Sequence, residues 1–357
     1  MEFDAFLLDQ CARYPGLQAQ DLVKAMYQSE FGCGHLVTQQ GLAWLEEELN
    51  ACQMPANPPP LVEPLRGGFC RVHLQALADS GLSSRTLFRL FELSAAQPAG
   101  SMEAFDRQLM QLEQLASSGA LPLNAADVQA FVADYRKAGC PATHHSQAFR
   151  SLYLPAYRVI RAEYARFLNV FAAIDSKLPH RHPLLVAIEG GSTSGKTTLA
   201  ALLAQVYDAN VFHMDDFFLQ AHQRTPGRLA QFGGNVDYER FLQEVLEPLR
   251  AQQPVAFRRF DYTTMTLSAP VQVPFKQLNI IEGVYSMRPT LACFYDVSVF
   301  LGIDPHTQAA RVLARNGPAM QQRYLNEWIP MENRYFDFYQ IASLCDIRID
   351  GENGQTP

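Results

Sequence analysis

The chain has 357 residues, 48% of them apolar and 18% charged, an ordinary globular composition with enough length for two domains. Its net charge of −7 excludes the broad basic surface that a nucleic-acid backbone requires of its partner. Seven scattered cysteines, an acidic amino terminus and the lack of an apolar run of ~18 residues predict a cytoplasmic protein without disulfide bonds, signal peptide or membrane span.

Residues 1–175 show the spacing of amphipathic helices, with apolar side chains three and four positions apart. The expected helices are Asp21–Tyr27, Leu42–Leu49, Ser83–Leu93, Met102–Leu115 and Ala125–Tyr135. Ser101 is a candidate N-cap, and a longer helical pattern runs from Ser146 to Phe171, kinked or divided at Pro155. The sequence therefore predicts an α-helical domain of unknown function over residues 1–175.

The stretch DSKLPHRHP, residues 175–183, breaks the helical pattern and indicates a boundary between two domains. After it, short apolar strands alternate with helices, which is typical of parallel βαβ units with helices on both faces of a sheet. The expected strands are Leu184–Glu189, Ala209–His213, Leu278–Glu282, Val297–Ile303 and Ile347–Ile349. Residues 183–357 are therefore predicted to form a doubly wound, parallel-sheet α/β domain.

The segment IEGGSTSGKTTLA, residues 188–200, follows the first of these strands and matches the P-loop pattern G-x-x-x-x-G-K-[ST]. A loop with little side-chain bulk can turn its N–H groups toward a phosphate, and the following helix points its positive end there. Lys196 is expected to reach the β- and γ-phosphates of ATP, and the Thr197 hydroxyl to bind Mg²⁺. The expected nucleotide-binding residues are Gly190, Gly191, Ser192, Thr193, Ser194, Gly195, Lys196, Thr197 and Thr198. Because no Asn-Lys-x-Asp element for guanine occurs, ATP is favoured as the donor.

Further charged residues follow the strands, where the carboxyl ends of a parallel sheet meet. Asp215 and Asp216 lie in VFHMDDFF, and Asp215 is a candidate base for a substrate hydroxyl and a candidate Mg²⁺ ligand. Glu282, at the end of LNIIEG, is expected to be the second carboxylate associated with Mg²⁺. Arg311 and Arg315 share a helix face and could close over a transferred phosphoryl group. Alternatively, the two aspartates only complement a helix dipole, and the two arginines lie on a solvated helix face.

Together these segments resemble the uridine kinase and phosphoribulokinase family of P-loop kinases, and MDDFF is similar to the nicotinamide riboside kinases. The resemblance covers residues 183–351 and implies the roles given above for the lysine, the threonine, the two acids and the lid arginines. It also implies that Asp237 grips substrate hydroxyls, often those of ribose, and that Asp261 and Tyr262 line the acceptor pocket. Uridine-cytidine kinases carry a His-Ser-Arg element in this pocket segment, whereas this chain has Met265-Thr266-Leu267 near that position. The resemblance therefore implies a nucleoside or other ribosyl compound as the acceptor rather than uridine itself.

The first half offers a second set of candidate ligands, in EFGCGHLV, RGGFCRVHL and CPATHHSQAF. These are His35, Arg71, His73, His144 and His145. Imidazoles could hold a metal and arginines a phosphate or carboxylate, but no two lie at a diagnostic spacing, and histidines without a function are the alternative.

We expect an enzyme that transfers the γ-phosphoryl group of ATP to a hydroxyl of a small metabolite, and leave open whether identical chains assemble. Two alternatives remain. One is an ATPase switch whose first domain binds a partner. The other is a metal-dependent enzyme in the first domain, regulated by the kinase-like half.

Overall fold

The computed structural model describes residues 2–34, 37–97 and 100–351. The chain divides into two compact units, Met1–Ala172 and Ala173–Pro357. Within the three described ranges, no helix combines the length and the apolarity that crossing a membrane requires.

The first unit is largely helical, as its apolar spacing predicts. Its helices are α1 (Phe3–Arg13), α2 (Ala19–Phe31), α3 (Gly41–Ala51), α4 (Leu77–Ser80), α5 (Ser84–Ala95), α6 (Met102–Ser117), α7 (Ala125–Lys137), α8 (Gln147–Tyr153), α9 (Ala162–Ala165) and α10 (Leu168–Lys177), which contains the division between the units. The five predicted helices are confirmed as α2, α3, α5, α6 and α7, whereas α1 was not predicted. Ser101 caps α6 as expected, since its side chain accepts a hydrogen bond from the backbone N–H of Ala104.

The first unit also contains a three-stranded antiparallel sheet that the sequence did not predict. Its strands β1 (Val62–Pro64), β2 (Phe69–His73) and β3 (Tyr157–Arg161) lie side by side in that order. The helical pattern expected up to Phe171 was therefore wrong over β3, because α8 ends at Leu154 in a left-handed conformation (φ 45°). The backbone groups of β2, whose residues are all buried, need partners on both sides, and β1 and β3 supply them.

The second unit contains the predicted parallel sheet. Its strands are β4 (Leu184–Gly190), β5 (Ala209–His213), β6 (Val255–Asp261), β7 (Thr266–Val273), β8 (Leu278–Glu282), β9 (Val297–Leu301) and β10 (Ile347–Ile349). The five-stranded sheet has the order β10-β9-β4-β8-β5 with all pairs parallel, so the predicted strands are confirmed. β6 and β7 form a separate antiparallel hairpin that was not predicted.

Helices flank this sheet and fill the connections between its strands. They are α11 (Lys196–Val206), α12 (Pro226–Leu229), α13 (Tyr238–Phe241), α14 (Glu247–Arg250), α15 (Pro289–Ala292), α16 (Pro305–Arg323), α17 (Ile329–Tyr339) and α18 (Ile341–Leu344). Strands β4 and β8 are buried at every residue, which explains why each reads as a continuous apolar run. In the sheet register, Glu282 lies opposite both Ile188 and His213. The carboxyl ends of β4, β5 and β8 therefore meet at one edge.

Candidate active site at the phosphate-binding loop

The P-loop begins at a position that only glycine can occupy without distortion. Gly190 ends β4 with a φ of +147°, and a Cβ there would lie 2.3 Å from the backbone oxygen of Leu301 in β9. Gly195, with a φ of +104°, is the N-cap of α11. The chain therefore turns tightly between β4 and α11, and the amino-terminal end of α11 points at the loop.

Lys196 and two hydroxyl groups form the polar inner surface of the loop. The Lys196 side chain is buried, and its Nζ donates hydrogen bonds to the backbone oxygens of Gly190 and Gly191, each at 2.9 Å. The buried hydroxyl oxygens of Thr193 and Ser194 have no hydrogen-bond partner among the described residues. Buried polar atoms normally have partners, so this donor set fits the phosphate groups of a nucleotide.

Glu282 connects the loop to the neighbouring strands. Its Oε1 accepts hydrogen bonds from Thr197 Oγ1 at 3.1 Å and from His213 Nδ1 at 2.5 Å. Burial pushes the pKa of Glu282 upward, but the bond from His213 and the charge of Lys196 outweigh it and hold the pKa below its usual value. The same bond raises the pKa of His213. A carboxylate beside a threonine hydroxyl fits the oxygen ligands that Mg²⁺ prefers.

His213 is a contact of the site that sequence reasoning missed. It was expected only as the last residue of a strand, and no role followed from its position. The signal that could have found it is the sheet register, because β5 and β8 are adjacent and place His213 opposite Glu282.

Asp215 lies on the turn that follows β5. Its neighbours Met214 and Phe217 are fully buried and anchor the turn in the core, while the Asp215 side chain reaches solvent. Partial desolvation by the neighbouring protein groups raises the pKa of Asp215, the charge of Lys196 opposes the rise, and that of Glu282 adds to it. The structure thus brings Asp215, Glu282 and Lys196 within electrostatic reach of one another.

The two candidate lid arginines differ in position. Arg311 lies over the P-loop, where its Nη1 donates to the backbone oxygen of Thr193 at 3.3 Å. Arg315, one turn further along α16, has its charge close to Tyr324, and no hydrogen bond joins it to another residue that the structure describes. Beyond Arg315, α16 is interrupted at Gly317, whose φ of 76° and ψ of 171° are not helical.

Asp237 is occupied by other protein groups. Its side chain caps α13 by accepting from the backbone N–H of Arg240 at 3.1 Å, and its other oxygen accepts from Gln223 Nε2 at 2.8 Å. Only 4% of the residue is exposed. In this conformation Asp237 holds the start of a helix and offers no free oxygen to a substrate hydroxyl.

Asp261 and Tyr262 lie at the turn of the β6–β7 hairpin, and only the second reaches the site. Asp261 is exposed, and its carboxylate accepts a hydrogen bond from the backbone N–H of Thr263 at 2.8 Å, which shapes the turn. The Tyr262 hydroxyl donates to the backbone oxygen of Asp215 at 3.2 Å. The Tyr262 ring is 5.6 Å from that of Phe218, so it forms one wall beside the carboxylate.

Glu332 of α17 was not singled out from the sequence. Its Oε2 accepts a hydrogen bond from the backbone N–H of Ser192 at 2.8 Å, and its Oε1 accepts one from the Ser192 hydroxyl. Burial raises the pKa of Glu332, and the charge of Asp215 adds to the rise. A carboxylate of α17 therefore contacts a backbone N–H of the loop that is expected to hold phosphate.

Glu189, the residue before the P-loop, is a second buried acid that was missed. Its carboxylate accepts from the backbone N–H groups of Gly190 (2.9 Å), Tyr285 (3.2 Å) and Met287 (3.0 Å) and from the Tyr335 hydroxyl (3.2 Å). Burial raises its pKa to about 7. Glu189 therefore ties the base of the P-loop to the segment after β8 and to α17, which makes it a positioning residue.

Comparison with known proteins supports the likeness expected from the motifs. The chain is 25% identical to the uridine kinase of Geobacillus kaustophilus over 173 residues, which are 44% of this chain and 82% of that protein. The similarity to uridine kinases covers roughly half of this chain. The chain is also 25% identical to uridine kinase-like protein 4 of Arabidopsis thaliana over 145 residues, 38% of this chain and 30% of that one.

A solved structure of a possible uridine kinase from Bacillus stearothermophilus has 24% identity and a TM-score of 0.39, covering 51% of this chain and 99% of that one. No family model matches the chain. The second unit combines a P-loop with acidic side chains at the carboxyl ends of β5 and β8. Chemically, this arrangement can bind a nucleotide by its phosphates and take a proton beside them.

Proposed function

We propose that the uridine kinase-like domain transfers the γ-phosphoryl group of ATP to a hydroxyl group of a small metabolite. The observation that carries the proposal is the convergence of Lys196, Thr197, Glu282 and Asp215 at one edge of the sheet. Phosphoryl transfer needs mainly alignment and neutralised charge, and these side chains can supply both.

The P-loop would hold the triphosphate through its backbone N–H groups, Lys196 and the unpartnered hydroxyls of Thr193 and Ser194. Thr197 and Glu282 would hold Mg²⁺, with Asp215 near them. When bound, Mg²⁺ supplies positive charge that neutralises the phosphate oxygens.

Asp215 is the proposed base for the acceptor hydroxyl. The pKa of Asp215 is raised toward neutral pH, and a carboxylate is a more effective base when its pKa lies near the pH of the reaction. Arg311, held at the P-loop by the backbone of Thr193, carries a guanidinium that can face the oxygens of the transferred group. Arg315 lies on the same helical stretch before Gly317, one turn from Arg311, and is proposed to join it by reorienting its side chain.

For the acceptor, we propose a nucleoside or another ribosyl compound. The names of the relatives support this class, and so does the Tyr262 ring, which is 59% exposed beside the proposed base and can stack on a planar group. Asp237 lends no support in its capping position, so recognition of a ribose diol would require it to release Arg240 or Gln223.

The proposal is tested by supplying Mg-ATP with a panel of nucleosides and other ribosyl compounds and measuring ADP release. We expect release that depends on one class of acceptor and disappears in Lys196→Ala and Asp215→Asn. Asp208→Asn is the matched control, because that carboxylate is exposed at the opposite end of β5 and pairs with Lys276. Release without any acceptor, unchanged in Asp215→Asn, would instead favour the ATPase switch.

A further inference from the structure

The first unit contains a cleft of about 570 Å³, which we call the α2–α3 cleft. Its walls include Lys24, Trp44, Phe88, His145, Tyr157 and Arg158. Volumes of roughly 300–1,000 Å³, a mainly apolar lining and a few convergent polar groups are typical of small-molecule sites. The cleft is formed by residues of the first unit alone, so it is a different place from the P-loop.

The cleft carries more positive than negative charge. Lys24, Arg150 and Arg158 line it, and Glu48 is the one acidic side chain among the described residues of the lining. Glu48 is already paired with Arg158 Nη1 at 2.8 Å. Lys24 donates from Nζ to the backbone oxygen of Thr143 at 2.8 Å and forms no ion pair within the part of the chain that the structure describes. Burial lowers the pKa of Lys24 although the charge of Asp21 opposes the fall, so an anion in direct contact with Nζ would stabilise the charged form of this lysine.

A hydrogen-bonded chain fixes the polar floor of the cleft. His145 bonds Asp21 Oδ1 through Nδ1 at 2.9 Å and the Tyr157 hydroxyl through Nε2 at 2.6 Å. Asp21 also accepts from the backbone N–H and the hydroxyl of Ser146, and these bonds hold its pKa below the usual value although burial pushes it upward. Burial lowers the pKa of His145 to about 4, so its ring is neutral, donates to Asp21 and accepts from Tyr157.

A buried ion pair lies directly behind this floor. Arg71 Nη1 bonds Glu63 at 2.9 Å, and both side chains are at most 1% exposed. His73 bonds the other oxygen of Glu63 at 2.9 Å, and the Arg71 guanidinium lies 4.8 Å from the Tyr157 ring centre. Apolar residues usually stabilise a core at least as well as a buried ion pair does, so stability alone does not account for this one. Held rotamers under a cleft are what a preorganised binding site needs.

The candidate ligands that the sequence suggested in this half are thereby placed. Arg71, His73 and His145 belong to the network, His144 lines the cleft, and His35 lies outside the described residues. Between residues 2 and 351, apart from the four positions not described, no group of three or more His, Cys, Asp or Glu side chains could hold a metal ion. The hypothesis of a metal-dependent enzyme in this half gains no support, and the charge of the cleft points to an anion instead.

We propose that the α2–α3 cleft binds a small organic anion, with its carboxylate or phosphate group at Lys24 and its apolar part against Trp44 and Phe88. Trp44 is 50% exposed at the cleft, and an apolar group would cover its ring. The proposal does not depend on the kinase activity of the other unit.

Tryptophan fluorescence tests this directly, because the chain has two tryptophans and Trp328→Phe leaves Trp44 as the sole emitter. The probes are benzoate and phenyl phosphate, with benzyl alcohol as the neutral control and inorganic phosphate as the anion without an apolar part. We expect both aromatic anions to change Trp44 emission saturably, with at least tenfold weaker responses to the two controls. The tighter of the aromatic anions then identifies carboxylate or phosphate as the preferred group.

Lys24→Met keeps the length of the side chain and removes its charge, and we expect it to weaken binding of the aromatic anion at least tenfold. Lys137→Met is the matched control on the same unit, because Lys137 is exposed and pairs with Asp134, and it should leave binding unchanged. Circular dichroism checks that each variant is folded. If Lys24→Met does not fold, the comparison of anion with alcohol in the Trp328→Phe protein decides. Equal binding of the alcohol, undiminished binding to folded Lys24→Met, or no saturable signal in emission and calorimetry would each overturn the proposal.

Discussion

Replacing Gly190 by alanine should destabilise the second unit more than replacement of any other P-loop glycine. The added Cβ would lie 2.3 Å from the backbone oxygen of Leu301 and 2.9 Å from Ser194 Oγ. The carbonyl belongs to β9, which is paired with a strand on each side, so we expect an overpacking cost of ~1–3 kcal/mol. The φ of +147° adds a conformational cost of ~1–3 kcal/mol for a residue with a Cβ. The free energy of unfolding should therefore fall by ~2–6 kcal/mol.

Two other glycines separate the steric cost from the conformational one. Gly195 has a φ of +104°, but no atom lies within 4 Å of the place that a Cβ would take, so Gly195→Ala should cost only ~1–3 kcal/mol. Gly227, in α12, has neither a positive φ nor a close neighbour, and alanine there should stabilise by ~0.4–1 kcal/mol. Urea unfolding without nucleotide, in a Trp44→Phe background where Trp328 reports on the second unit, measures all three. Equal losses for Gly190→Ala and Gly195→Ala would refute the steric argument.

Three further predictions concern buried ionisable groups. Glu332→Gln removes a negative charge from Ser192, so calorimetric affinity for ATP should rise ~5-fold, or about 1 kcal/mol, while the exposed control Glu327→Gln should not change it. Because burial lowers the pKa of His145 from 6.5 to about 4, its contribution to stability is full above 6.5 and is lost as the pH falls toward 4. That loss should be roughly 2 kcal/mol between pH 7 and pH 5 by urea unfolding, and His145→Gln should abolish it. Glu189→Gln turns an amide NH₂ toward N–H and O–H donors, so thermal unfolding should show a loss of ~1–3 kcal/mol; an unchanged melting temperature would contradict this.

The sheet of the second unit could be predicted because its three inner strands, β4, β8 and β9, are buried on both faces. Such strands appear in the sequence as short continuous apolar runs, and the helical segments between them predict that the strands pair in parallel. The segment Tyr157–Arg161 contains two arginines among its five residues and continues a helical spacing of apolar residues, so its local pattern does not distinguish a strand from a helix. Its pairing with β2, more than 80 positions earlier in the chain, decides the matter, and no local spacing reports that pairing.

The residues around the P-loop also include some that a local motif predicts and some that only a distant contact reveals. Lys196 and Thr197 follow from a local motif, whereas Glu332 reaches Ser192 across 140 positions and has no local signal. For Asp237, the resemblance implied a role in binding substrate hydroxyls, although its position before a helix predicts an N-cap. An aspartate that opens a helix is a typical N-cap, and that is how its carboxylate is used here.

The most direct test of the proposed phosphoryl transfer follows the labelled γ-phosphoryl group of ATP with each member of the ribosyl panel. We predict that the label appears on the hydroxyl of an acceptor, and that Asp215→Asn lowers the rate by ~10²–10⁴-fold while ATP still binds. Label recovered only as inorganic phosphate, or transfer that Asp215→Asn leaves at the wild-type rate, would contradict the role proposed for the residues at this edge of the sheet.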